Sequence, residues 1–598
     1  MPPSIESPIK SRRSVTQVTA GTIDGSTPEQ LLDTTKIAVL PVNVNLEEPA
    51  RIEERTGRLE KLDTGTDPIV IDEKFTNTLR IVGYGTTLSF WNLNTNTEHN
   101  IKTDFSANLK EGVREGEAFY TCNGREGDKI YKTTLPTLGY NTQTVNFTVG
   151  QVVTDSVTGA TATIIADSDS GATGTLTLDN INGTFGANII TDPLGGSATS
   201  DGAVDFTNTS ELSNAPKCES IFYFDGSIVA GNTDTDKSEW HVAKKGDPTT
   251  WTPSATAGEP YKESFGRLGE LLSFGTLDNQ GIQNLGNQIF VGFEDGYIVG
   301  HNSIVDVGGT LTQRFIYDAT KKNAGANATA STAKGVYYTN ENGVFFRVVG
   351  QDRNSDDINV SHDIGRELKD FSFEGSKLLF IPENKRLLII CKRGADQNNA
   401  VLVHNTETTF TRNKAWWRYE GWRLNTIKLD RDTVYGGSSL DGKLYQLFTG
   451  TNDNGSPIRI FYEQYLNVFP KDTVGDCYRM NIGGKVTKGS PYTITLDIIN
   501  EIGQRTSPPN NTFEFDSDAV VSELAGLGKA GLGYTGLGGT TFSDPSAFSK
   551  KWFPSFIQNF TSLILTIEST DSQPGQINWV SVETEPIRQQ FEGLLTQT

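Results

Sequence analysis

Along most of the chain, apolar residues alternate with polar ones in short runs, and each run stops at a turn rich in Gly, Asn or Asp. A period of two is the signature of a strand with one buried face. The best copies are paired runs: Ile221 to Gly231, Ile289 to Gly300, Gly335 to Phe346, Lys377 to Ile390 and Asp432 to Leu447. Asp-Gly or Asn-Gly falls between the apolar arms of most of them, and that dipeptide favours the positive φ angles of a tight hairpin. Weaker copies lie at Leu79 to Leu93 and Tyr120 to Tyr131. Hairpins recurring every 40 to 70 residues or so, with almost no helical periodicity, predict an all-β fold with a β-propeller body over 78–450. At about 45 residues per blade, with an insert set aside, the span holds about six or seven blades.

The insert, 143–209, is where the pattern changes most. Between Lys132 and Lys217 there is no Lys or Arg, while Asp and Glu persist. Val, Thr, Ile and Leu alternate there with small residues, which predicts a small acidic β-sandwich or barrel projecting from a blade loop. After 450 the rhythm changes again. Strands near Ile458–Val468, Tyr478–Val486, Tyr492–Ile499, Phe556–Ile567 and Gln576–Val582 predict an antiparallel C-terminal sandwich over 451–598, interrupted by a Gly-rich loop at 525–540. Residues 1–77 read as an extended N-terminal segment with one strand at Ile37–Val44. The charged stretch 47–62 reads as a short amphipathic helix or an exposed strand and turn, with its charges on a solvated face.

Composition supports this reading. The 598 residues include 61 Gly and 2 Met, and 10% are aromatic, enough for substantial cores. Acidic residues outnumber basic ones by 73 to 52, a net charge of −21 that disfavours general nucleic-acid binding. Cys122, Cys218, Cys391 and Cys477 are far apart, so neither a zinc site nor a disulfide framework is expected. The N-terminus has no apolar core after its basic residues, and no apolar run approaches bilayer length, so a soluble chain made in a cytoplasm is expected, with no membrane partner.

Chemical signatures are sparse. Gly526-Leu-Gly-Lys-Ala-Gly531 has the letters of a dinucleotide loop, but no helical run follows to present an N-terminus to a phosphate. His99, His241, His301, His362 and His404 show no metal spacing, and no nucleophile elbow accompanies them. His362-Asp363 reads as a turn or cap pair. Asn232–Asp236 and Asp167–Gly171 open like calcium loops but lack the distal bidentate Glu. Trp416, Trp417, Tyr419 and Trp422 form an aromatic cluster that reads as a blade core, the exposed alternative being a sugar platform. No catalytic, cofactor-binding, metal or other binding residue is assigned, and no enzyme activity is expected.

Two stretches carry a resemblance. AVLVHNTETTFTRNKAWWRYEGW (400–422) resembles the blade endings of tail nozzle, or packaged-DNA stabilisation, proteins of short-tailed bacteriophages, and so does IFYFDGSIVAGNTDTDKSEWHVAKKGDPTTW (221–251). The acidic insert is similar to small β modules of phage virion proteins. The resemblance covers about 140–450 in pattern, and the large insert departs from the simplest members. It implies a structural protein of the virion tail, assembled in the host cytoplasm. It further implies a homo-hexamer beneath the tail adaptor, beside fibres or spikes, that extends and gates the channel through which DNA leaves without specific binding. The rival expectation is a receptor- or glycan-binding fibre or spike, with a polysaccharide depolymerase as its enzymatic form.

Overall fold

The computed structural model describes residues 36–589 apart from 38–40, 46–51, 66, 225, 253–259, 278–287, 308–309, 319–327, 349–356, 395–396, 407–415, 467–472, 486–491, 501–502, 510, 516–547, 553–559, 561 and 570–575. The fold is all-β. Seven four-stranded antiparallel sheets form the body. Sheet I runs from Ile69–Lys74 to Thr97–Lys102, and sheet II joins Glu111–Glu115, Ala118–Cys122 and Tyr131–Thr133 to Thr209–Glu211. Sheets III to VI begin at Cys218–Phe224, Leu271–Leu277, Thr329–Thr332 and Phe371–Ile381. Sheet VII consists of Leu424–Asp430, Thr433–Ser438 and Lys443–Leu447, and its fourth strand is Arg58–Asp63. The first strands of the seven sheets touch in a closed cycle, each against the next and sheet VII against sheet I.

All five hairpins read from the sequence fall on consecutive strands, but not on the same pair. Ile221–Gly231 and Lys377–Ile390 are first and second strands, whereas Ile289–Gly300, Gly335–Phe346 and Asp432–Leu447 are second and third. The expected boundary at 78 lies inside sheet I, and the ring takes Arg58–Asp63 from still earlier in the chain. That strand pairs Leu62 with Leu444 and Arg58 with Leu447. A strand from before the first sheet, completing the last, ties the two ends of the ring together by hydrogen bonds.

The charged stretch 47–62 is therefore strand rather than helix where it is described, as Ile52–Glu54 and Arg58–Asp63. Nor are all its charges solvated. Arg55 is fully buried, and Asp453 takes two of its N–H groups at 2.9 and 2.5 Å. Nε donates to Asn43 Oδ1, and the remaining two N–H groups reach the carbonyls of Thr56 and Glu420. All five donors are thereby used. The guanidinium also lies over the Trp422 ring at 4.6 Å, and Trp422 Nε1 donates to the same Asp453.

Two further sheets are built from the C-terminal part together with N-terminal strands. One places Lys36–Ile37 on Ile460–Leu466, followed by Ser562–Ser569 and Tyr492–Ile499; the other places Val44–Asn45 and Ile52–Glu54 on Gln576–Gln589 and Thr473–Lys485. A single apolar core runs from sheets VI and VII and the link between them (Leu388, Trp417, Trp422, Leu424) into these sheets (Tyr462, Leu496, Leu565). The Gly-rich loop at 525–540 lies outside the described residues. The insert is a closed six-stranded barrel, from Thr137–Val145 to Ser197–Ser200, so it starts ahead of the expected 143. It interrupts sheet II between its third and fourth strands.

Removing the Arg55 side chain strands a buried carboxylate. Arg55→Ala is expected to cost about 3–5 kcal/mol in urea unfolding. Arg459→Ala, which breaks the exposed pair with Glu568 at 3.6 Å, should cost under about 1 kcal/mol. Equal effects from the two would contradict the structural role given to Arg55.

Candidate functional site

The first strands of the sheets enclose an axial cavity of about 410 Å³. Asp72, Glu73, Glu111, Arg114, Lys377 and Lys428 are ionisable residues of its lining. At the seam of sheets VII and I, Arg80 bonds Asp72 at 2.6 Å with both side chains fully buried, and Arg80 and Lys74 both reach Asp430. Lys428 meets Glu73 at 3.0 Å across the same seam. Lys377 of sheet VI stands 3.8 Å from Glu111 of sheet II, two sheets that are not neighbours, so this pair crosses the ring.

These charges are costly to hold. Burial raises the Asp72 carboxyl despite Arg80, and raises Glu111 against the opposing pull of Lys377 and of hydrogen bonds from Ser220 Oγ and the Ile221 amide. Burial lowers Lys377, which Glu111 partly offsets, whereas Glu73 raises Lys428. Perturbed groups in a cavity often mark catalysis. Of the hydroxyls nearby, Thr329 donates to the Phe274 carbonyl, whereas Ser331 accepts from Thr276 and Thr426 accepts from the Gly437 amide, and none of the three is bonded to a histidine or carboxylate among the described residues. The arrangement braces the ring and offers no activated nucleophile among the described residues.

A second cavity, a cleft of about 730 Å³, opens beside sheet VI. Lys369, Arg393, Arg418 and Arg423 line it with Asp370 and Glu420, so cations outnumber acids in this acidic chain. Arg393 and Arg418 share Glu420 Oε1 at 3.2 and 3.0 Å.

The other singled-out residues are dispersed. Trp416, Trp417, Tyr419 and Trp422 are all fully buried, which leaves no sugar platform there. His404 is buried and stacks on Trp416, His241 contacts Glu239, and His362 opens a short 3-10 turn. All four cysteines are free and buried. Asp167 accepts from Tyr140 OH and Asp169 from Asn146, and Asp236 accepts from Ser238 and Ser264. No cluster of His, Cys, Asp and Glu able to hold a metal occurs among the described residues. No helix there is long and apolar enough to cross a membrane. Gly526–Gly531 is outside the described residues. Sequence reasoning missed Arg55, the axial charges and the cleft; only the density of Arg and Glu in 47–62 hinted at the first.

The barrel is a third surface. Its end at Asp179–Ile181 rests on the turns of sheet I, where Thr76 and Thr78 both donate to Asp179 at 2.7 Å and Asn92 donates to the Ile181 carbonyl. His99 stacks on Phe206 at 3.9 Å beside it. Elsewhere its strands and turns expose Val145, Val152, Val157, Ile189 and Leu194.

No family model matches the chain, and no curated protein matches it. Solved structures do. A computationally designed Ika8 protein is similar over 66% of this chain and 99% of its own, at 12% identity and a TM-score of 0.33. A chain of a mitotic checkpoint complex is similar over 66% of this chain and 93% of its own (10%, 0.35). BBS1N, solved in complex with ARL6DN, is similar over 67% of this chain and 99% of its own (13%, 0.32). At these scores the likenesses carry no argument about function.

Burial lowers the pKa of His99, so the folded chain binds this proton less readily than the unfolded one. The stability His99 contributes is present above its unfolded value of about 6.5 and is lost as pH falls below it. Thermal melts should therefore show wild type losing more stability than His99→Phe between about pH 7.5 and 5. Parallel losses would remove His99 from the barrel's docking.

Proposed function

We propose that the body is a seven-bladed β-propeller carrying the barrel as an insert and a C-terminal two-sheet sandwich. In this reading the chain is a structural subunit of a phage virion, the hexameric nozzle of a short tail, which extends and gates the DNA-ejection channel beneath the adaptor. The observation that carries a mechanical role is the N-terminal segment, which completes sheet VII and lends strands to both C-terminal sheets around buried Arg55. Load on Arg58–Asp63 is then borne by its hydrogen bonds to Lys443–Leu447.

The conduit in this reading lies between copies. A cavity of about 410 Å³, crossed by the Lys377–Glu111 pair, has no room for a duplex whose major groove alone is about 12 Å wide. Six copies at −21 each would carry about −126, which repels a phosphate backbone and lets DNA slide without being held. An enzyme role has no support from the axial cavity, where Thr329, Ser331 and Thr426 are bonded to no histidine or carboxylate among the described residues.

One observation favours a second reading, a receptor-binding virion protein. The aliphatic residues exposed on the barrel suit a protein partner, whereas the buried Trp cluster no longer suits a glycan. Electron cryo-microscopy of the particle that carries this chain separates the two. Six copies around an axial channel below a twelve-fold adaptor are expected; three copies on a peripheral fibre would overturn the nozzle reading.

A further inference from the structure

The cleft beside sheet VI lies among Gly394 and Asn399, the entry to the first strand at Lys369 and Asp370, and the exit from the fourth at Arg418–Arg423. That is the end of the sheet opposite its first hairpin turn, 382–385. Arg418 is nine-tenths buried, and its Nε has no acceptor among the described residues. Lys369 and Arg423 are exposed at the rim and form no ion pair among the described residues. Two guanidiniums already oriented on one carboxylate, with two more cations beside them, make a receptor for further carboxylates.

The same chain supplies an anionic counterpart. The barrel hairpin Thr161–Asp169 and Gly174–Asn182 meets sheet I at its Asp179–Asn182 end. Its tip, around Asp169, lies a full strand away and is exposed from Ser168 to Thr173. No Lys or Arg occurs between Lys132 and Lys217 to neutralise it. The barrel leaves sheet II between its third and fourth strands and rests on the hairpin turns of sheet I, whereas the cleft is at the other end of its sheet. The barrel's foot and the cleft are thus at opposite ends of the ring, an arrangement that suits a charge match between copies.

We infer that the cleft receives the acidic barrel tip of a second copy, the Asp169 region facing Arg393, Arg418 and Arg423. The contact is heterologous, and a repeated head-to-tail contact closes into a ring when its rotation permits. Closure into six rests on the nozzle reading; the contact itself does not.

Sedimentation velocity of the full chain at about 0.05 M and 0.5 M salt tests this, because rim charges are screened at the higher strength. Wild type should self-associate at low salt and less at high salt. Lys369→Glu with Arg423→Glu, and separately Ser168→Lys with Ser170→Lys, should each weaken association about tenfold or more. These are exposed positions, so thermal melts should not move. A chain with all four substitutions should return to within about threefold of wild type.

A wild type that stays monomeric at low salt overturns the inference. So does a tip variant that associates normally, or a four-fold variant that regains nothing. Binding of a fluorescent octaglutamate peptide to the cleft, without self-association, would assign it to a different acidic partner and equally overturn it. Three copies on a fibre, with the charge swap still restoring association, would instead sink the nozzle reading alone.

Discussion

A fully buried guanidinium that must find an acceptor for each of its five N–H groups fixes where the surrounding chain can run. Arg55 draws together Asn43 from the N-terminal segment, the Glu420 carbonyl at the end of sheet VI and Asp453 from the link to the C-terminal sheets. Asn43 adds to the knot by accepting from the Glu420 amide and donating to the Arg459 carbonyl. With that point set, Arg58–Asp63 emerges in register with Lys443–Leu447 and the ring closes. The N-terminal strands on the other side of the knot enter the C-terminal sheets, so ring and sheets share one core.

The seam between sheets VII and I is held by charge rather than by apolar contact alone. Arg80, Lys74 and Lys428 of its two sides meet Asp72, Glu73 and Asp430. Buried pairs of this kind add little net stability, since desolvation offsets attraction. What they add is register, because a slipped seam leaves charges unpaired in a poor dielectric. The Lys377–Glu111 pair does the same across the axis. Such an interior suits a body that keeps its shape.

Much of the fold was legible because strand alternation and Gly turns are local signals. Asp225-Gly226 and Asn342-Gly343 announce their hairpins whatever else the chain does, and the cation-free run after Lys132 announces a separate module. The number of sheets was not fixed, because the legible hairpins are first and second strands in sheets III and VI but second and third in IV, V and VII, which scrambles the apparent spacing. The pairing of Arg58–Asp63 was hidden because its partner Lys443–Leu447 lies almost 400 residues away, and nothing local distinguishes Arg55 from a surface arginine. The cleft was illegible for a related reason: Lys369, Arg393 and Arg423 are distant in sequence and meet only through the strand pairing of sheet VI.

Native-state hydrogen exchange of the Arg58–Asp63 amides tests the closure most directly. If the N-terminal strand locks ring and sheets into one cooperative body, those amides and their partners in Lys443–Leu447 exchange only through global unfolding, with the same free energy as the core strand Arg386–Arg393. Exchange of Arg58–Asp63 orders of magnitude faster than that core strand would show an open ring and contradict the account.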